Sequence, residues 1–206
     1  MPPVSLPEAL RLIAITDNLR DGIDGLLRRA QAARRGGATM IQLRLPDEGA
    51  QTLATVARAL IAAVDIPIVI HGRLDTAMAV GAAGVHLGVR DFSVADARRI
   101  GGPQLIVGRS AGNDADLRHS SGADYVALGP VFPADDRRSG ISLGISEFER
   151  LARLASVPAI AIGGISATTA ADAMRVGARG VALIRGILGS PDPERSAREV
   201  RSAIET

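Results

Sequence analysis

The chain is predicted to fold as a (β/α)8 TIM barrel, one domain over residues 1–206, and three observations carry that expectation. One phrase recurs four times. Gly37-Ala38 leads into Met40-Ile41-Gln42-Leu43, and Gly81-Ala82 into Gly84-Val85-His86-Leu87. Gly122-Ala123 leads into Tyr125-Val126-Ala127-Leu128, and Gly177-Ala178 into Gly180-Val181-Ala182-Leu183. The spacings of 44, 41 and 55 residues fit two strand–helix units per period, so four periods make eight units. Each phrase also follows a helix-like stretch and opens a short apolar run. Glycine just past a helix closes it in a left-handed conformation, and a run of this length reads as a buried parallel strand.

The elements follow in order. The first strand is 12–16, with Asp17 at its end, and Leu26, Leu27, Ala30 and Ala33 at helical spacing make 25–35 a helix. The second strand is 40–44, followed by a helix over 51–64. Pro67 opens the third strand, 68–71, with a helix at 74–80. Strands at 84–87, 105–108 and 125–128 alternate with helices at 94–100 and 115–120. The longest loop, 129–140, explains the spacing of 55 and reads as functional by its length. A helix at 146–155, a strand at 159–162, a helix at 167–176 and a strand at 181–184 complete the alternation. A turn at 185–188 precedes the last helix, 193–204.

Composition narrows the chemistry. Apolar residues are 47% of the chain, enough for one large core, and no run reaches the roughly 20 residues of a membrane span. The first residues lack the basic and apolar regions of a signal peptide, which predicts a cytoplasmic protein. There is no cysteine, hence no thiol nucleophile or disulfide, and all 24 basic residues are arginine. Without lysine, Schiff-base chemistry is excluded. Three histidines argue against a histidine-rich metal centre. At 2% aromatics and a net charge of +2, with arginines interspersed among acids, the chain is not expected to bind nucleic acid or membrane.

Candidate site residues lie at the C-terminal strand ends, where such barrels carry their chemistry. Gly163-Gly164-Ile165 after the seventh strand and Ile184-Arg185-Gly186-Ile187 after the eighth form the pattern of a phosphate site. Backbone N–H groups and a helix N-terminus would face the anion, and glycine permits its close approach. Gln42 and Arg44 alternate along the second strand and can share its inward face. Arg44 suits a phosphate or carboxylate, or else a salt bridge on the rim. His71 is placed for proton transfer, or for a hydrogen bond at the barrel mouth. Asp91 could hold a divalent cation or belong, with Ser93, to a helix cap. Ser110 also falls at a strand end. Asp17 is read as a helix cap in preference to a site group. His86 reads as a satisfied core polar residue and His119 as a surface one. Arg137 and Arg138, in the long loop, could close over an anion or remain solvated.

At these residues the chain resembles the superfamily of thiamine phosphate synthase and its paralogue TenI. The stretches are Ile15-Thr16-Asp17, 37–44, 79–88, 122–133 and 160–165, spread over nearly the whole chain. The resemblance implies thiamine biosynthesis and a phosphorylated thiazole as substrate. It implies that Gly163, Gly164, Ile184 and Arg185 hold the thiazole phosphate. It further implies that Gln42, Arg44, Asp91, Ser110 and Arg137 face a pyrimidine diphosphate and its Mg²⁺, and that the protein is a homo-oligomer. Some positions depart from the synthase pattern. Leu45-Pro46 replaces a lysine-bearing strand end, and His71-Gly72 stands where the synthase has Asn-Asp. Ala134-Asp135-Asp136-Arg137 stands where it has Thr-x-Thr-Lys. Gly72-Arg73 and Gly108-Arg109-Ser110 look like TenI, whose catalytic histidine after the sixth strand is Pro130 here. The expectation is therefore a TenI-like thiazole phosphate tautomerase that needs no metal, with His71 as its acid/base and Arg44 and Ser110 beside it. A synthase with a remodelled diphosphate site, using Mg²⁺ at Asp91, is the first alternative. A non-catalytic thiazole phosphate-binding protein is the second.

Overall fold

Eight parallel strands close on one another in sequence order in the computed structural model, which describes residues 5–133 and 142–205. A single helical turn, α1 (Leu6–Ala9), precedes β1 (Leu12–Ile15). Then follow α2 (Gly22–Arg35), β2 (Met40–Leu43), α3 (Ala50–Ala63), β3 (Ile68–His71), α4 (Leu74–Val80) and β4 (Gly84–Leu87). The second half runs α5 (Val94–Gly101), β5 (Ile106–Ala111), α6 (Asp114–Arg118), β6 (Tyr125–Leu128), α7 (Gly144–Leu154), β7 (Ala159–Ile162), α8 (Ala167–Arg175), β8 (Gly180–Leu183) and α9 (Pro193–Ile204). The barrel closes where β1 pairs with β8, Ile13 opposite Ala182.

Strand parity divides the core in two. Ile13, Ile15, Met40, Val69, Tyr125, Ile160 and Ala182 point inward and pack together. Their neighbours Leu12, Ala14, Ile41, Leu43, Ile68, Ile70, Val85 and Val107 point outward and lie under the helices. Each fully buried Leu or Ile contributes about 2 kcal/mol. Leu6, Ala9 and Leu10 join the inner set, so α1 plugs the lower end of the barrel. The periodicity carries no sign of this turn, because four residues are too few to show a helical period.

The glycine of every repeat phrase adopts the left-handed conformation, with φ of +106° at Gly37, +68° at Gly81, +82° at Gly122 and +105° at Gly177. Three expectations are corrected. The fifth strand does not stop at Gly108. Arg109, Ser110 and Ala111 stay in the ladder opposite Val126, Ala127 and Leu128, so Ser110 lies inside β5. Asp17 caps no helix, since α2 starts at Gly22 behind Asp21. The cap of α5 is Ser93, which accepts from the Asp96 N–H at 3.0 Å; Asp91 stands outside it.

Candidate functional site

Inward parity carries polar residues at the upper ends of β2 to β5. Gln42, His71, His86 and Ser110 extend the inner rows of their strands, and Arg44 stands one step beyond β2. Arg44 is held by its backbone. Thr16, buried just past β1, accepts from the Arg44 N–H and donates to the Arg44 carbonyl, each at 2.8 Å. Nothing in the sequence singles out Thr16 for this role; its place one residue beyond an inward Ile is the available signal.

A cavity of about 610 Å³ opens at this end of the barrel. Its lining gathers Arg44 and Asp17 with Gly163, Gly164, Ile184, Arg185 and Gly186. Gly163 and Gly164 have φ of +89° and +64°. A Cβ on Gly163 would stand 2.5 Å from the Pro130 Cβ, and one on Gly164 would stand 2.5 Å from the Phe132 carbonyl oxygen. Phe132 N–H donates to the Gly163 carbonyl at 3.1 Å. The loop therefore needs glycine for its backbone and for contact with the segment after β6. The segment after β8 is a turn, not a short helix, so backbone N–H groups rather than a helix dipole are available there. Ser166 and Thr169 reciprocally cap the start of α8.

Beside this cavity lies a second polar group. Gln42 Nε2 donates to His71 Nδ1 at 2.9 Å. Burial depresses the His71 pKa and the Arg44 guanidinium depresses it further, against a smaller opposite pull from Asp91. His71 is thus neutral near pH 7. Asp91 Oδ2 accepts from the Gly88 N–H at 2.6 Å. A Cβ built on Gly72 would lie 3.3 Å from that oxygen, and one on Gly88 would lie 3.8 Å from His71 Nε2. Asp91 and His71 therefore flank the same small space above β3 and β4. Arg109, buried and of outward parity, reaches the carbonyls of Val89 and Phe92 at 3.2 and 3.0 Å and so holds the loop that carries Asp91. Ser110 Oγ lies 2.9 Å from His86 Nε2, and His86 Nδ1 lies 3.0 Å from the Tyr125 hydroxyl. His119 is exposed after α6.

The structure thus sorts the candidate residues. Arg44, Gly163, Gly164, Ile184 and Arg185 share one cavity, and Gln42, His71 and Asp91 form a neighbouring group that Ser110 joins through His86, whose ring stacks on His71. Arg44 belongs to both, since it lines the cavity and acts on His71. Arg137 and Arg138 lie outside the described residues. Among the described residues no three His, Asp or Glu side chains gather as a metal-ligand set. Asp91 provides one carboxylate. That donor set fits Mg²⁺ in its common mode, with one or two carboxylates, waters and the phosphates of a substrate.

A sequence model described as "Thiamine monophosphate synthase" matches residues 12–187. A thiamine-phosphate synthase of Xanthobacter autotrophicus is 40% identical over 204 residues, spanning 96% of this chain and 97% of its own. One from Azorhizobium caulinodans is 38% identical over 206 residues, spanning 97% of each. The solved thiamine phosphate pyrophosphorylase of Pyrococcus furiosus superposes with a TM-score of 0.80 at 30% identity, covering 98% of both chains. A 3-hexulose-6-phosphate synthase superposes with a TM-score of 0.72 at 20% identity and shares the fold.

Proposed function

Because this chain belongs to the thiamine monophosphate synthase family, we propose that it is a thiamine phosphate synthase whose diphosphate side is remodelled. The observation that carries the reading is the double character of Arg44. It stands between a phosphate-type cavity and a second polar group, so one mouth offers places for two phosphorylated substrates. A reaction that joins two such substrates needs both places; the tautomerase expected from His71 would need one. The relatives bear the synthase name, and the isomerase expectation gains no support from them.

In this reading the thiazole phosphate rests on the backbone of Gly163, Gly164, Ile184 and Arg185. Its ring nitrogen attacks the methylene carbon of the pyrimidine diphosphate. The new C–N bond forms as the C–O bond to the diphosphate breaks, and the electron pair leaves on pyrophosphate. Arg44 faces both anions and draws charge from the leaving group. Gln42 and neutral His71 line the diphosphate side, with the His71 Nε2 edge turned to the space beside Asp91. Ser110 offers a hydroxyl. Mg²⁺ held at Asp91 and by the diphosphate would neutralise the developing negative charge.

Titration calorimetry tests the two-place arrangement. Thiazole phosphate and a non-hydrolysable pyrimidine diphosphate analogue are expected to bind together, each with its own stoichiometric site. Mutual exclusion of the two ligands would refute it.

A further inference from the structure

We infer that Tyr125 and His86 form a buried relay that fixes the Ser110 hydroxyl as a hydrogen-bond donor toward the barrel mouth, which makes His86 a positioning residue for the diphosphate side. The inference rests on the synthase reading only for the identity of the anion; the relay itself stands on geometry.

The relay begins in strand register. His86 on β4 lies opposite Gly108 on β5, and Gly108 opposite Tyr125 on β6. All three have inward parity. A Cβ on Gly108 would stand 2.2 Å from Tyr125 Cζ and 2.4 Å from its hydroxyl oxygen. The missing side chain lets the Tyr125 ring cross β5 and reach His86 on the far strand. Ser110 stands two residues above Gly108 on the same face, within 2.9 Å of the other imidazole nitrogen. His71 stacks on His86 from the opposite side, ring centroids 5.6 Å apart.

The buried Tyr125 hydroxyl sets the direction of the relay. Tyr125 has no exposed surface, and among the described residues its hydroxyl bonds only His86. If His86 Nδ1–H donated to Tyr125, the phenolic proton would be buried without an acceptor, at a cost of about 1–3 kcal/mol. If Tyr125 donates to Nδ1, every group is satisfied. His86 then carries its proton on Nε2 and donates to Ser110 Oγ. Burial supports this state, since it depresses the His86 pKa to about 3 and raises that of Tyr125, keeping the imidazole neutral and the phenol protonated. Ser110, half-buried, has its oxygen engaged from below and its own O–H left for the mouth. Since the neighbouring imidazole nitrogen is itself a donor, it cannot take that proton, and the hydroxyl is an anion donor rather than an activated nucleophile.

Long-range ¹H–¹⁵N correlation spectra of the ¹⁵N-histidine-labelled chain report the tautomer directly, with three histidines to assign. His86 is expected in the Nε2–H form, and Tyr125→Phe is expected to release it toward the Nδ1–H form. Inorganic pyrophosphate serves as the anion probe. Ser110→Ala should weaken its binding about 10-fold, the loss of one hydrogen bond to a charged group. Tyr125→Phe should weaken it by about 3-fold, and the double variant should match Ser110→Ala alone, because both changes act through one hydroxyl. An Nδ1–H or charged His86 in the unmodified chain, or additive effects in the double variant, would overturn the relay. Pyrophosphate binding indifferent to Ser110→Ala would overturn the donor role and leave the synthase reading standing. Absence of pyrophosphate binding by the unmodified chain would overturn that reading and the donor role with it.

Discussion

Thr16 grips Arg44 by both of its backbone groups, with one hydroxyl accepting the N–H and donating to the carbonyl at 2.8 Å each. The end of β1 thereby sets the height at which Arg44 leaves β2. Thr16→Val removes the hydroxyl at nearly constant volume and strands both Arg44 groups. It is expected to cost about 2 kcal/mol in urea unfolding and to weaken phosphate binding, while Thr16→Ser keeps both properties. Equal phosphate affinity in all three proteins would mean that the clamp does not position Arg44.

Arg44 and Arg185 should separate the two substrate sides. Arg44→Ala is expected to raise KM for both substrates by about 10-fold or more, since it removes a charged donor common to both. Arg185→Ala keeps the backbone N–H and removes only the guanidinium beside the cavity, so it should raise KM for the thiazole phosphate alone and by less. Steady-state kinetics with each substrate varied in turn distinguishes the patterns, and an Arg44 effect confined to one substrate would remove it from the shared position.

Gly164 tolerates no side chain. Its φ is +64°, and an added Cβ would stand 2.5 Å from the Phe132 carbonyl oxygen, so Gly164→Ala must shift the loop or the segment after β6. The expected cost is about 1–3 kcal/mol of stability for the strained backbone, with a larger loss of thiazole phosphate affinity. Calorimetry of phosphate binding beside thermal unfolding checks it; unchanged affinity would argue that the loop does not touch the anion.

Buried His86 should make the fold sensitive to mild acid. Its folded pKa is depressed to about 3 against an ordinary 6.5, by burial first and then by His71 and Arg109. Between those values the unfolded chain takes up a proton that the folded chain refuses. Stability is therefore whole above pH 6.5 and falls as pH drops toward 3, by about 1 kcal/mol per pH unit. His71, whose pKa is also depressed, adds to the same window. Urea unfolding at about pH 7 and about pH 5, on either side of the ordinary histidine pKa, should show the loss in the unmodified chain and a smaller one in His86→Gln. Identical pH slopes would contradict a neutral buried His86.

The barrel is legible in the sequence because its signals are local: a glycine that ends each helix, an apolar run that opens each strand, and parity along the run. The two loops that line the cavity are legible for the same reason, as Gly163-Gly164 and Ile184-Arg185 announce themselves by spacing. The relay is not. His86, Gly108 and Tyr125 meet only through lateral register across three strands, and Gly108 reads in sequence as a strand end when it is the gap that lets Tyr125 through. The grip of Thr16 on Arg44 likewise joins residues 28 apart and depends on the pairing of β1 with β2. Asp17 misleads because an acid after a strand suits a cap equally well; the helix waits for Asp21 instead, which leaves Asp17 to line the cavity.

The most direct measurement supplies the purified protein with pyrimidine diphosphate, thiazole phosphate and Mg²⁺ and follows pyrophosphate and thiamine phosphate together. Release of both in equal amounts, dependent on both substrates and abolished by chelating the metal, is expected. Interconversion of thiazole phosphate tautomers with no pyrophosphate released would contradict the synthase and return the chain to the isomerase reading.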